Sequence, residues 1–441
     1  MKIFFLSLGC DKNLSDSEHM LKILADRGHS FTDDETEAEC AIVNTCAFIG
    51  DAKQESIDEI IRIGALKKNA KLKLLLVTGC LAERYRNEAM ELLPEIDGAL
   101  GINDWDKIDR LLLEAEKKTR PAYFSDQDRL PVSRGRVPLT TGFTSYLKIA
   151  EGCSKRCSYC AIPLIRGGYR SVPMEELLSE AKSLAENGTK ELILVAQETT
   201  LYGIDLYGKK SLPELVSKLS EIEKIRWIRI LYCYPEELTD EMIGMIRDNE
   251  KVVKYLDIPV QHGSDAVLKR MNRATTRKEI LEKIRMLRKT VPGITLRTTL
   301  MTGFPGETEE EFEESKTFLL QAKFDRLGVF AYSKEENTAA SFMKPMVPIR
   351  IREKRRNELM ALQQGVAFEK AKKRVGKKTL VLVEGKLADE ENVYLTRTES
   401  DAPDVDGYLF LHAKTVHESG DFVKAKITGA EGYDLLGEEI G

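Results

Sequence analysis

Residues 146–168 read YLKIAEGCSKRCSYCAIPLIRGG, with three thiols, Cys153, Cys157 and Cys160, inside eight positions. The apolar run from Tyr146 to Ala150 predicts a strand, and Gly152 predicts a turn that throws the cysteines onto a loop at its C-terminal end. A closed structural zinc site asks for four ligands, usually in two pairs. No fourth Cys or His follows nearby, and the next histidine downstream is His262. Three thiolates on one short loop suit instead a cubane iron–sulfur cluster with one iron left open to a small chelating molecule.

The rest of the composition sets the frame for that loop. At 441 residues the chain predicts two or three domains. Hydrophobic residues at 42% beside 32% charged ones describe a soluble globular protein with sizeable cores. No apolar run approaches the roughly 20 residues that span a bilayer, which excludes a helical membrane protein. The opening MKIFFLSLGCDKN has no signal-peptide cleavage pattern and reads as a first strand. Eight cysteines without an export signal predict a cytoplasmic, reducing setting in which thiols bind metal or do chemistry. A net charge of −5 gives no overall nucleic-acid footprint.

Residues 1–120 carry three apolar strands that each end in cysteine: KIFFLSLGC at Cys10, CAIVNTC at Cys46 and KLLLVTGC at Cys80. Helical stretches at Ser15–Arg27, Lys53–Lys68 and Leu81–Leu93 separate them. Strand and helix in alternation predict a parallel sheet covered on both faces. The C-terminal strand ends of such a sheet open onto one rim. Cys10, Cys46 and Cys80 are therefore expected to converge, though 36 and 34 residues separate them in sequence. The competing reading is three buried core cysteines. Each thiol follows its strand rather than lying in it, which favours a second three-thiolate site. Cys40 opens its strand and reads as core.

Residues 121–141 are rich in Pro, Ser and Gly and read as a linker. From 142 to 347 strands and helices alternate again, with strands predicted at Thr144–Glu151, Glu191–Gln197, Trp227–Tyr234, Val253–Val260, Ile294–Met301 and Leu327–Ser333. Six such units are too few for a closed eight-stranded barrel. Residues 348–375 read as a basic helical linker; across 348–378 there are 11 basic and 3 acidic residues. Residues 376–441 change to short strands between Gly, Asp and Pro turns and predict a small five-stranded barrel.

The pattern Cys-x3-Cys-x2-Cys after a first strand resembles the radical S-adenosylmethionine (SAM) superfamily. That resemblance implies a central partial (β/α)6 barrel. It also implies a 4Fe–4S cluster on Cys153, Cys157 and Cys160, with the SAM amino and carboxylate groups on the open iron. One electron would then cleave SAM to methionine and a 5′-deoxyadenosyl radical able to take hydrogen from an unactivated carbon. The same resemblance places Tyr159 near the adenine and Gln197, with Glu198 beside it, at the SAM amino group. It adds Arg297, Gly303 in the turn Gly303-Phe304-Pro305-Gly306-Glu307, and Tyr332. A plain strand-to-helix turn explains that glycine turn equally well. His262 suits either a satisfied structural role or a substrate contact.

Cys10, Cys46 and Cys80 ahead of such a triad resemble the methylthiotransferases, through SLGCDKNLSDSE, VNTCAFI, VTGCLAERY, EGCSKRCSYCAIPLIRGGYRS and DIPVQHGSDAVLKRMNR. The terminal barrel resembles their TRAM module. The resemblance implies a second 4Fe–4S cluster whose open iron holds sulfur, and conversion of C–H to C–S–CH3. Leu231-Tyr232-Cys233-Tyr234-Pro235 and Asp401-Ala402-Pro403-Asp404-Val405-Asp406-Gly407 resemble the RimO-type branch. The substrate there is the β-carbon of an aspartate in protein S twelve of the small ribosomal subunit. Residues 379–441 hold 5 Lys and Arg against 14 Asp and Glu, a balance of −9. An acidic barrel suits a basic protein partner better than RNA phosphates, although acidic surfaces also serve solubility. The alternative is a tRNA adenosine methylthiotransferase. Expected partners are the ribosomal protein, a reductase as electron donor, and ribosomal RNA along the basic helix, with no membrane. Asp11, where that branch often has proline, and Val172, where arginine is frequent, depart from the pattern and bear on substrate detail.

Overall fold

The computed structural model describes residues 1–133 and 135–440. Its first sheet has six parallel strands: β1 (Lys2–Ser7), β2 (Ser30–Phe31), β3 (Cys40–Thr45), β4 (Leu74–Gly79), β5 (Gly98–Leu100) and β6 (Ala122–Tyr123), in the order β2-β1-β3-β4-β5-β6. The central strands β3 and β4 are buried along their whole length. Their continuous apolar character follows from helices on both faces, where α1 (Asp11–Asp26), α2 (Gly50–Ala65), α3 (Cys80–Leu92) and α4 (Ile108–Ala115) close two separate cores. Six strands stand where three are expected because β2, β5 and β6 have only two or three residues, too few to show a period. Cys40 sits fully inside the core, as its place at the head of β3 predicts.

Strand β6 lies in the segment expected to be a linker. Beyond it the backbone is strapped down: Arg136 donates through Nε to Glu18 of α1 at 2.8 Å and through Nη1 to Glu180 of the next unit at 2.9 Å. Pro and Gly content marks such a segment as irregular; it does not make it loose.

The second sheet is also parallel and runs in simple sequence order from β7 (Thr144–Lys148) through β10 (Glu191–Val195), β11 (Trp227–Ile230), β12 (Val252–Asp257) and β13 (Thr295–Thr302) to β14 (Arg326–Ala331). β7 and β14 are its two edges and do not pair, so this is a partial barrel of six strands. The expected first strand breaks after Lys148. Its end, β8 (Ala150–Glu151), pairs antiparallel with β9 (Arg170–Ser171) and ties off the base of the cysteine loop. The other strands stop short of the expected ends at Gln197, Tyr234 and Val260, because these residues leave the ladder to form the rim.

A 24-residue helix, Ile349–Lys372, follows. It is packed on the partial barrel, burying Leu359, Val366 and Ala367. The last unit is a closed five-stranded barrel of β15 (Lys378–Lys386), β16 (Val393–Thr398), β17 (Leu409–His412), β18 (Phe422–Glu431) and β19 (Asp434–Glu439), ordered β15-β16-β17-β19-β18. This barrel covers the N-terminal ends of the partial barrel's strands. Glu191 at the head of β10 accepts from Arg397 at 2.6 Å and from Arg229 at 2.8 Å, with all three buried. Among the described residues no helix is long and apolar enough to cross a membrane.

Candidate active site: two cysteine triads joined by one arginine

Gly152 starts the first cysteine loop with φ +73°, and a Cβ there would lie 2.1 Å from the Gly168 carbonyl oxygen. Only glycine allows that close backbone approach. The Cys153 N–H donates to the Gly167 carbonyl at 3.1 Å, and the Ser158 N–H to the Met271 carbonyl at 3.0 Å, so both ends of the loop are anchored. Cys153 and Cys157 are buried and Cys160 is half-buried. Burial pushes the Cys153 thiol up to about 11 and that of Cys160 to about 12. Such thiols are poor nucleophiles alone; a cationic metal centre is what would hold them as thiolates. Arg273 brings Nη1 to 4.0 Å from the Cys157 sulfur and stacks its guanidinium 4.1 Å above the Tyr234 ring.

The second triad is assembled at the rim of the N-terminal sheet. Cys10 is the N-cap of α1, Cys46 follows β3 directly, and Cys80 opens α3. Gly9, with φ +90°, lies so near the second thiol that a Cβ would stand 3.2 Å from the Cys46 sulfur. Asn13 clasps the group: Nδ2 donates to the Leu8 carbonyl at 3.0 Å and to the Thr45 carbonyl at 2.9 Å, while Oδ1 lies 3.8 Å from the Cys80 sulfur. Two helix N-termini thus point at the sulfurs and favour negative charge there. Burial pushes Cys80 up to about 11, opposed by Arg166 and assisted by Cys10 and Cys46. Among the described residues no three His, Cys, Asp or Glu side chains are placed to hold a single metal ion. A cluster, with one thiolate per iron, asks for a wider triangle.

Arg166 joins the two triads. It lies six residues beyond Cys160, is 1% exposed, and forks both oxygens of Glu151 from Nη1 at 2.8 and 2.9 Å. Its Nη2 donates to Asn13 Oδ1 at 2.6 Å and stands 3.5 Å from the Cys80 sulfur. Lys148 pairs with Glu151 at 2.9 Å and also with Asp16, while Gln197 Nε2 donates to Glu151 Oε1 at 3.1 Å. Burial works against the Glu151 charge, but Arg166 and Lys148 outweigh it and hold the carboxyl well below the usual range. Arg166, Glu151 and Asn13 lie inside the stretches that carry the family resemblance, SLGCDKNLSDSE and EGCSKRCSYCAIPLIRGGYRS, but spacing assigns none of them a role.

The other expected residues separate into two groups. Gln197 and Glu198 stand beside the first triad, and Gln197 Oε1, Glu198 Oε2 and the Tyr332 hydroxyl are buried without a partner. Burial pushes the Glu198 carboxyl up to about 7. Tyr159 packs in a small cluster with Met271, Phe304 and Tyr332. Arg297 and Gly303 have partners within the protein. Arg297 Nη1 donates to Asp406 of the terminal barrel at 2.9 Å. The Gly303 N–H donates to Glu307 Oε2 at 2.7 Å, and a Cβ on Gly303 would strike Arg352 of the long helix. His262 stands 3.3 Å from the same Glu307 carboxylate and accepts from the Ser264 N–H through Nδ1, a satisfied structural histidine.

Beside Cys10 of the second triad lies a further polar group that spacing does not single out. Lys12 is buried, 3.0 Å from Asp11 and 3.5 Å above the Tyr232 ring. The Tyr232 hydroxyl donates to Asp11 Oδ1 at 3.2 Å and its N–H to Asp257 Oδ2 at 3.3 Å. Among the described residues Asp11 Oδ2 is buried without a hydrogen-bond partner, and Asp257 Oδ1 has the Arg297 Nε 4.0 Å away as its partner.

Residues 147–319 match the Radical SAM superfamily, residues 2–101 the Uncharacterized protein family UPF0004, and residues 375–440 the TRAM domain. The protein is 53% identical over 438 residues, 99% of each sequence, to the "Ribosomal protein uS12 methylthiotransferase RimO" of Lachnoclostridium phytofermentans. This chain belongs to the RimO family of radical SAM methylthiotransferases. A Thermoanaerobacter relative of the same name is 47% identical over 98% of each sequence. Among solved structures, the radical SAM methyltransferase TsrM of Kitasatospora setae, with cobalamin and a [4Fe-4S] cluster bound, is similar in fold, with TM-score 0.54 at 14% identity over 76% of this protein and 75% of that one.

The RimO family uses SAM and two 4Fe–4S clusters. The residues here fit them. Each triad offers three sulfurs and brings one buried guanidinium within 4.0 Å of a sulfur. The unpartnered acceptors Gln197 Oε1 and Glu198 Oε2 beside the first triad suit an amino group.

Proposed function

We propose that this protein is the methylthiotransferase of ribosomal protein uS12, converting one C–H bond of an aspartate to C–S–CH3. The observation that carries the reading is the convergence of Cys10, Cys46 and Cys80 at one rim, tied through Arg166 to the loop of Cys153, Cys157 and Cys160. SAM and the two clusters, when bound, would relay the electron and supply the radical, the sulfur and the methyl group. The protein's own residues bind, orient and shield. Cys153, Cys157 and Cys160 hold one cluster and Cys10, Cys46 and Cys80 the other. Gln197 and Glu198 receive the SAM amino group, and Tyr159 and Tyr332 shape the apolar wall beside it.

The substrate enters between the triads. There Lys12 supplies a cation for the substrate carboxylate, and the unpartnered Asp11 Oδ2 accepts an N–H group from a basic peptide. Arg297 and Gly303 serve the fold, the first by locking the terminal barrel and the second by admitting the long helix. The setting is cytoplasmic, where eight free cysteines stay reduced, and an external reductase delivers the electron. Arg350, Lys354, Lys372 and Lys373 are exposed along the long helix and are the groups offered to ribosomal RNA.

Anaerobic turnover of the reconstituted protein with SAM, reductant and sulfide, in separate tubes with uS12 and with tRNA, tests the reading by mass spectrometry. A methylthio group on an aspartate of uS12 is the expected product. Methylthiolation of a tRNA adenosine would overturn the substrate assignment; the relatives at 47–53% identity give that alternative no support. Cys153→Ala is expected to abolish SAM cleavage, whereas Cys46→Ala is expected to spare it and stop sulfur insertion. Loss of both activities in Cys46→Ala would contradict the division of labour.

A further inference from the structure

We infer that Arg166 sets the reduction potential of the Cys10–Cys46–Cys80 cluster and that Glu151 tempers it, so that one buried ion pair couples the two cluster sites electrostatically. The inference rests on the two-cluster reading above. Its observation is separate: a guanidinium at the end of the short helix Ile162–Arg166, which follows the loop of one triad, lies 3.5 Å from a sulfur of the other.

The geometry leaves Arg166 little alternative. It is 1% exposed and Glu151 2%, so water does not screen the pair. Both Glu151 oxygens face Nη1, while Nη2 is turned to Asn13 and Cys80. Two other buried charges join the pair: Lys148 bonds Asp16 and also Glu151, the latter at 2.9 Å, and Asp16 Oδ2 lies 3.8 Å from Arg166 Nη1, which leaves Nη2 of Arg166 as the cationic group beside the Cys80 sulfur. Cluster potentials follow net charge and hydrogen bonds to the sulfurs. A positive guanidinium beside Cys80 stabilises the more negative, reduced state and raises the potential. Glu151, bonded to the far side of that guanidinium, opposes part of the effect. Glu151 also lies two residues before Cys153 and accepts from Gln197, so the first cluster's loop and the SAM side hold the other end of the same pair.

A purely structural arginine makes no prediction about sign; this arrangement does. The test uses the full-length protein with Cys153→Ala, Cys157→Ala and Cys160→Ala, loaded anaerobically with iron and sulfide, so that the second cluster alone is observed. Its potential is read by titration followed by electron paramagnetic resonance. Arg166→Gln is expected to shift the potential negative, Glu151→Gln to shift it positive, and Arg166→Lys to stay near the parent because the charge remains. If Arg166→Gln does not fold, the Glu151→Gln and Arg166→Lys shifts carry the same test. Unchanged potentials at full iron content, or shifts of one sign in Arg166→Gln and Glu151→Gln, would overturn the inference. Failure of the parent triple variant to take up iron would overturn the two-cluster reading, and this inference with it.

Discussion

Gly152 decides where the first triad stands, because three carbonyl oxygens, those of Arg166, Gly167 and Gly168, crowd the position of its missing Cβ at 2.8 Å or less. These are backbone atoms, so nothing flexible can yield. Gly152→Ala is expected to cost roughly 1–3 kcal/mol and to displace the loop. Iron bound per protein should fall by about half, with the second triad still loaded, and thermal unfolding should report the destabilisation. Lys12 is the complementary case, a charge kept where burial disfavours it. Burial lowers its pKa, but Asp11, Tyr232 and Cys10 outweigh that and keep it protonated. Lys12→Met fills similar volume without the charge. It should raise KM for uS12 about tenfold or more, the scale of one charge-assisted contact, while SAM cleavage without substrate continues. An unchanged KM would remove Lys12 from substrate binding.

At the scale of elements, the turn after β13 shows how a motif is read differently once its partners are known. As sequence, Gly303-Phe304-Pro305-Gly306-Glu307 is compatible with a nucleoside seat or with a plain turn. In the structure Glu307 takes the N–H groups of Gly303 and Phe304, pairs with Arg355 of the long helix at 2.7 Å, and faces His262. Glu307→Ala would leave two N–H groups unpaired in the interior and Arg355 with Glu309 as its remaining carboxylate partner, 2.8 Å away, an expected loss of about 1–3 kcal/mol. Chemical denaturation should show that loss with iron content unchanged; a variant of normal stability that no longer binds SAM would restore the nucleoside reading. The Asp401–Gly407 loop changes meaning in a similar way. By resemblance it marks the substrate, yet Asp401 pairs with Arg326 and Asp406 with Arg297 in the floor of the partial barrel. Two acids of the barrel's −9 balance are therefore internal. The exposed Asp389, Glu390 and Glu391 of the β15–β16 turn, with Asp404, Glu418, Glu431 and Glu438, carry the outward charge.

At the scale of the molecule, the three units are held by buried charge as well as by apolar contact. Arg136 bridges Glu18 and Glu180, and His19 completes that seam, stacked 4.6 Å from Trp105 with Nε2 3.8 Å from Glu180. Burial lowers the His19 pKa from 6.5 to about 4, with Glu180 opposing. Between those values the unfolded state binds the proton and the folded state does not. Stability therefore rises with pH across the window and is fully present above about pH 6.5. His19 is expected to add a climb of up to about 3 kcal/mol in equivalent stability between pH 4 and 7, against which the Glu198 and Asp257 carboxyls, pushed up to about 7 and about 6, work in the opposite direction. His19→Gln should therefore make the slope of thermal melts less positive than the parent's, and an unchanged slope in the variant would place the titrating group elsewhere.

The sequence by itself determined two three-thiolate sites, because thiols at fixed short spacing and strands ending in cysteine are local patterns, and its motifs carried the resemblance that implies the reaction class. It also determined the βα alternation and the terminal barrel, since periodicity is written in neighbouring residues. Only the tertiary structure decided the short strands β2, β5 and β6, which have too few residues to carry a period. Long-range pairing likewise decided the partners of Arg297 and Gly303, and the meeting of Asn13 and Arg166 across 153 positions. The physical reason is the same throughout. A buried charge must find its counter-charge wherever the fold brings one, and no local spacing records where that will be.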